Sequence, residues 1–294
     1  MESELSLAFP ELPTEIENYI FLWTARLWIQ LKYLKGISGL TIVSKRVQSI
    51  VEPVLYETVV HQNNEEGQCS REPVAAYISP FRVALDSRPA AFFHRQVKDL
   101  YICGATCEKF ALHMMETCTG VENLFFQRWI EHDHASAVPL ITQLPLHSLS
   151  VHIMLFKSIS QAGVQESQSI FPNLKYLSLP LDWDYDGDLP NFAWLPALTH
   201  LRLEPHRYRE KEVKGDIKKL LFTLKTLEML VICIESWTVN SERTHGLKRK
   251  WMKLDPRVRV EDRSSYSYFG DWKEFVQSGE FYVDSDDSDE SDSD

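Results

Sequence analysis

Apolar residues along most of this chain recur in one pattern, at positions 1, 4 and 6 of a short segment. The pattern is set by Val97, Leu100 and Ile102, and it returns at Val121, Leu124 and Phe126 and at Leu146, Leu149 and Val151. It appears again at Leu174, Leu177 and Leu179, at Leu198, Leu201 and Leu203, and at Leu227, Leu230 and Ile232. The middle positions advance by 24, 25, 28, 24 and 29 residues. Positions 4 and 6 fall on one side of a β-strand, so each segment predicts a short strand with one apolar face. A unit that small buries its face only against its neighbours, which makes the body of the chain a stack of repeats. "VRVED", from Val258 to Asp262, predicts a weaker seventh strand.

The segments between these strands return the chain. "CEKFALHMMETC" (Cys107 to Cys118) and "DIKKLLFTLKT" (Asp216 to Thr226) predict helices, and "LPNFAWLPA" an irregular or single-turn return. A strand, a crossover and a parallel strand form a right-handed unit. The expected fold class is therefore α/β, a short, irregular, curved solenoid with parallel strands. Its period lies in the roughly 20 to 29 residues of leucine-rich repeats. The Asn or Cys that normally follows the third leucine by three positions is replaced by Ala105, Trp129, Met154, Asp182, His206 and Glu235, so the repeats are degenerate.

The first sixty residues change period. In "ELPTEIENYIFLWTARLWIQLKYLKG", Thr14 stands as an N-cap with Glu17 at the capping-box position. Ile16, Tyr19, Ile20, Trp23, Leu27, Leu31 and Leu34 follow at helical spacing. After a break marked by Gly36 and Gly39, a second helix carries Val43, Val47, Ile50 and Val51 on one face and is expected to close at Pro53. Thr58, Val59 and Val60 read as a short strand.

The residue types in this helical pair resemble the F-box, whose pattern runs Leu-Pro-x-Glu, Ile-Phe, Val-Ser/Cys-Lys/Arg-Arg and a closing Pro-x-Leu-Tyr/Trp. Here those positions are Leu12, Pro13, Glu15, Ile20, Phe21, Val43, Ser44, Lys45, Arg46, Pro53, Leu55 and Tyr56. With "FPNLKYLSLP", "WLPALTHLRL", "DPRVRVED" and "YFGDWKEFVQSGE" downstream, the order of motifs resembles fungal F-box-like proteins with degenerate leucine-rich repeats. That resemblance implies a non-enzymatic adaptor that recruits substrates to a cullin-RING (SCF-type) ubiquitin ligase. Its partners would be a Skp-type adaptor and a protein client. The expected adaptor face is Leu12, Pro13, Ile16, Ile20, Phe21, Val43 and Val47. The rival expectation is a stand-alone repeat scaffold whose F-box-like helices only cap the solenoid, which requires Ile20 and Phe21 to be buried against the repeats. The domains expected are a helical module over residues 1–56, the repeat domain over 57–282 and an acidic tail over 283–294.

Composition narrows this little further. Apolar residues make up 44% and aromatics 12%, as in a folded globular chain, and the net charge of −11 argues against general nucleic-acid or anionic-membrane binding. Asp284, Asp286, Asp287, Asp289, Glu290, Asp292 and Asp294 supply seven of those charges. That tail is too polar to bury a core and is expected to be disordered, with Ser285, Ser288, Ser291 and Ser293 placed for an acid-directed kinase. Five cysteines without framework spacing suit a reducing compartment. No signal-peptide pattern or 18-residue apolar run is present, so cytoplasm or nucleus is the expected location.

Candidate chemistry is sparse. Asp182, Asp184, Asp186, Gly187, Asp188 and Leu189 follow the EF-hand loop, but Ala193 stands where a bidentate glutamate belongs and a strand precedes the loop where a helix is required. It reads instead as a strand-exit loop in which Asp182, Trp183, Asp184, Tyr185 and Asp186 are the candidate client contact. Cys103, Cys107, His113 and Cys118 lack paired zinc-loop spacing, and the tract His132, Asp133 and His134 reads as a polar loop. The charged run His206 to Lys219 reads as a solvated face, and Lys248, Arg249 and Lys250 are too few for a strong targeting signal. No phosphate-cradling or nucleophile motif occurs, so no catalytic residue, metal or cofactor is expected.

Overall fold

The second and third residues of each apolar triplet lie in a strand, with the first just before it, in the computed structural model, which describes residues 12–30, 34–63, 80–104, 106, 108–128, 134–165, 170–181, 189–205, 210–235 and 248–263. The described residues open with α1 (Thr14–Gln30), α2 (Leu34–Thr41) and α3 (Lys45–Glu57). Then come β1 (Thr58–Asn63), α4 (Pro80–Ser87), α5 (Ala90–Gln96), β2 (Asp99–Gly104), α6 (Glu108–Thr117) and β3 (Asn123–Arg128). These are followed by α7 (Val138–Thr142), β4 (Ser148–Val151), α8 (Ile153–Gln165), β5 (Tyr176–Leu181) and β6 (His200–Pro205). The last are α9 (Glu210–Thr223), β7 (Met229–Glu235) and β8 (Val258–Arg263).

The eight strands form one parallel sheet in which spatial order equals sequence order, β1 to β8. The register is set by the middle leucines. Val59, Leu100, Leu124, Leu149, Leu177, Leu201, Leu230 and Val258 are successive Cα partners across all eight strands. A one-residue slip would turn every member of that row away from the core. A second row of backbone bonds locks the turns before the strands. Lys98 N–H donates to Glu57 O (2.9 Å), Glu122 to Lys98 (2.9 Å), His147 to Glu122 (2.7 Å), Lys175 to His147 (2.9 Å) and Thr199 to Lys175 (3.0 Å).

Parallel neighbours need crossovers, and every connection contributes to one core on the same side of the sheet. Met114 and Met115 of α6, Ile141 of α7, Phe156 and Ile159 of α8, Phe192 and Leu195 of the 189–199 return, Ile217 of α9, and Trp251 all pack there with the leucine row. No helix forms between 189 and 199, as expected of a single-turn return.

The N-terminal helices have their own core of Ala25, Ile37, Val47, Val51 and Val54, with Phe21, Leu22, Trp28 and Ile29 packed on it. Three expectations are corrected here. Gly36 and Gly39 do not break the chain but lie inside α2, because Ile37 between them is fully buried. Pro53 does not close α3, which continues to Glu57 with Val54 in the small core and Tyr56 against the large one. Val43 is not on α3, which starts at Lys45 after the cap Ser44, whose Oγ accepts from Val47 N–H at 3.1 Å. A fourth difference lies farther on, where α9 begins at Glu210 and ends at Thr223, earlier at both ends than Asp216 to Thr226.

α3 is the joint between the two bodies. Arg88 pairs with Glu52 and lies over the rings of Tyr56 (5.4 Å) and Phe92 (4.6 Å). Tyr56 in turn meets Phe92 and Phe93 edge to face at 5.2 and 6.0 Å. Burial beside these rings pushes the Tyr56 hydroxyl above its ordinary range, opposed by Arg88.

Candidate functional site

α1 is apolar on two sides, and only one of them is used inside the molecule. Its inner face gives Phe21, Leu22, Ala25, Trp28 and Ile29 to the small core. Its outer face leaves Ile16 50%, Tyr19 61%, Ile20 46%, Trp23 57% and Leu27 44% exposed, at the i, i+3, i+4 and i+7 spacing of a helix stripe. Leu12, ahead of the helix, and Ile42 and Val43, in the turn before α3, are exposed as well.

Arg46 fixes the relation between these pieces. Its Nη2 lies 2.6 Å from Glu17 Oε2 and donates to Asn18 Oδ1 at 3.1 Å and to Thr14 O at 3.4 Å. This draws the start of α3, with the Ile42–Val43 turn before it, toward the first turn of α1. The pair is about half exposed and contributes little stability on its own; its effect is orientation. The outer stripe of α1 is thus a row of large apolar side chains with a folded support beneath it, the chemistry of helix-in-groove docking.

The expected adaptor residues therefore divide. Leu12, Pro13, Ile16, Ile20 and Val43 are on the surface, Phe21 is half-buried, and Val47 is 4% exposed within the small core. Val47 holds the module together and presents nothing to a partner. Tyr19, Trp23 and Leu27 belong to the exposed stripe and are not among the residues expected from the sequence. Their signal was the apolar periodicity of α1, which mixes its inner and outer faces in one run.

The candidate client residues Asp182, Trp183, Asp184, Tyr185 and Asp186 lie outside the described residues, immediately after Leu181 at the end of β5. The acidic tail, Cys107, His132, Asp133 and Arg207 to Arg209 also lie outside them. Among the described residues no group of three His, Cys, Asp or Glu side chains is arranged to hold a metal. Cys118 is buried at the end of α6, and burial pushes its thiol up to about 12, which leaves it unreactive. Burial likewise lowers the pKa of His200, against the opposing charge of Glu228, and that of His61, so both favour the neutral ring. Lys218 and Lys219 are exposed on α9, the latter 3.9 Å from Asp216. Among the described residues no helix is long and apolar enough to cross a membrane.

The sheet side away from the helices carries a polar group of a different kind. Arg202 Nε is 3.1 Å from Glu204 Oε1 and its Nη1 is 3.7 Å from Glu261 Oε2, while Ser178 Oγ donates to Glu204 Oε1 at 3.3 Å. Tyr101 and Phe125 stack beside one another on this side with ring centroids 4.1 Å apart. Compared with protein-family models, curated proteins and solved structures, the chain matches none of them.

Proposed function

We propose that this protein is a non-enzymatic interaction adaptor. Its N-terminal module is F-box-like and docks on a Skp-type adaptor of a cullin-RING ubiquitin ligase, and its parallel sheet domain is a degenerate leucine-rich-repeat solenoid that carries a protein client. The observation that supports this reading best is the outer stripe of α1, Ile16, Tyr19, Ile20, Trp23 and Leu27, with Leu12, Ile42 and Val43 exposed elsewhere on the module. So many large apolar side chains on one face, over a module that has already filled its own core, call for a partner groove. The stripe begins at the Leu12-Pro13 and Ile20-Phe21 positions on which the F-box resemblance rests.

A purely capping role for these helices fits less well. It requires Ile20 and Phe21 beneath the sheet domain, whereas Ile20 is 46% exposed and Phe21 packs in the separate small core. The experiment is calorimetry of the full chain with a purified Skp-type adaptor. Saturable binding with a negative heat-capacity change is expected, and an absence of binding heat at several temperatures overturns the adaptor reading.

A further inference from the structure

α9 divides its residues sharply between core and solvent. Its inner side gives Ile217, Leu220 and Leu221 to the sheet core, with Leu224 just past its end. Its outer side carries Lys218, Lys219 and Phe222, and Lys225 follows in the turn after the helix, all of them exposed. Residues three and four apart share a helix face, so Lys218 and Lys219 stand one turn before the Phe222 ring.

Phe222 is 77% exposed, more than any other large apolar side chain described in the sheet domain. One exposed apolar residue needs no account by itself. What sets this one apart is its cationic setting. Lys225 Nζ lies over the ring, 4.6 Å from its centroid, which holds a cation on one ring face and leaves the remainder to solvent. The described acids nearest in sequence are Asp216, 3.9 Å from Lys219, and Glu228, whose charge acts on His200. The three lysines outnumber them.

The next crossover carries the same charge. Trp251 anchors residues 248–254 in the core cluster that α9 also enters, and Arg249, Met252 and Lys253 are left exposed. The Arg257 guanidinium, bonded to the carbonyls of Leu221, Leu224 and Leu227, ties the end of this crossover to the end of α9. β6, β7 and β8 are consecutive in the sheet and their crossovers pack on one side of it, so the two basic segments are neighbours.

We propose that the outer face of α9 is a docking surface for an acidic peptide segment of a partner protein, one that carries a large apolar side chain. Carboxylates of the peptide pair with Lys218, Lys219 and Lys225, and its apolar side chain covers the open part of the Phe222 ring. Charge decides among anionic partners. A membrane or a nucleic acid presents its charge over a large area and meets the whole molecule, whose net charge of −11 opposes it. A short peptide meets only the charges within about 8–10 Å of it, where lysines are in excess. The proposal goes beyond the adaptor reading and stands whether or not the N-terminal module binds a Skp-type adaptor.

The test uses the full chain and a short fluorescein-labelled peptide of Asp and Glu around a single Leu, read by anisotropy at physiological ionic strength. Saturable binding is expected. Phe222→Ser should weaken it about tenfold, and the double variant Lys218→Glu/Lys219→Glu by about as much or more. A peptide with Lys in place of the acids should restore binding to the double variant. Both variants change exposed side chains, so their thermal unfolding should match that of the natural protein. Absence of peptide binding, or binding that either variant leaves intact, overturns the proposal. Phosphatidylserine vesicles and a single-stranded oligonucleotide are the other arms, and binding of either that is tighter than the peptide's and weakened by both variants also overturns it.

Discussion

Replacing Ile16 and Ile20 together with glutamate separates binding from folding. Full burial of an isoleucine side chain is worth about 1.5–3 kcal/mol. Ile16 and Ile20 are 50% and 46% exposed, so about half of that gain is still available to a partner, roughly 1 kcal/mol each. Losing both removes about 2 kcal/mol, near a thirtyfold weakening. Burying two unpaired carboxylates in the groove costs a further few kcal/mol, which takes the expected loss beyond about a hundredfold. The fold should be nearly indifferent, because both side chains already face water, and Tm should move by no more than a few degrees. Val47→Glu is the contrasting variant. At 4% exposure inside the small core, it should unfold the helical module and reduce helical circular dichroism. Calorimetry against a Skp-type adaptor, paired with thermal unfolding of each variant, reads both outcomes. Wild-type affinity in the double variant refutes the outer stripe as the anchor. A large fall in its Tm refutes the claim that the stripe is spare.

Other consequences concern the sheet domain. Leu177→Ala, in the middle of the leucine row and fully buried, should cost about 2–5 kcal/mol in denaturant unfolding. Gly120→Ala should destabilise by about 2 kcal/mol or more by the same measurement, because the added Cβ would stand 1.8 Å from the His94 carbonyl oxygen and backbone must move. Arg257 Nη1 and Nη2 donate to the carbonyls of Leu221, Leu224 and Leu227 near the end of α9, while Asp255 holds the guanidinium at 2.9 Å. That hydrogen bond is the main reason the Asp255 carboxyl lies at about 2 instead of 3.8. Its folded pKa is depressed, so its stabilisation is present above the unfolded value and is lost as pH falls through about 2. Asp255→Asn should cost about 1 kcal/mol at pH 7, after allowing for solvent screening, and only a small part of that at pH 2, as read from urea unfolding across that range.

The strands were legible because their evidence is redundant. Leu100, Leu124, Leu149, Leu177, Leu201 and Leu230 repeat one spacing, and a parallel sheet in sequence order brings them into one register row. Val59 and Val258 extend that row at both ends. Helix limits were less legible because tertiary burial overrode local preference. Gly36 and Gly39 were read as breakers, but Ile37 anchors the turn that contains them. Pro53 was read as a stop, yet burial of Val54 and packing of Tyr56 hold α3 past the missing donor. The candidate site was half legible for a related reason. Period alone identified α1 as apolar, but only packing shows which apolar face is spent on Ala25, Ile37 and Val51 and which remains outside. Val43 and Val47, four residues apart, were read as equivalent, although one stands in a turn and the other in a core.

The sheet's order has a consequence for how the molecule is made. Because β1 to β8 occur in space as they occur in sequence, a strand leaving the ribosome finds its only required partner already in place. No strand waits for one made much later, so the loop-closure cost at each addition is that of a single repeat. At any moment the strand edges without a strand partner are those of β1 and of the newest strand, which limits the surface open to mispairing with other chains. Translation order and assembly order coincide.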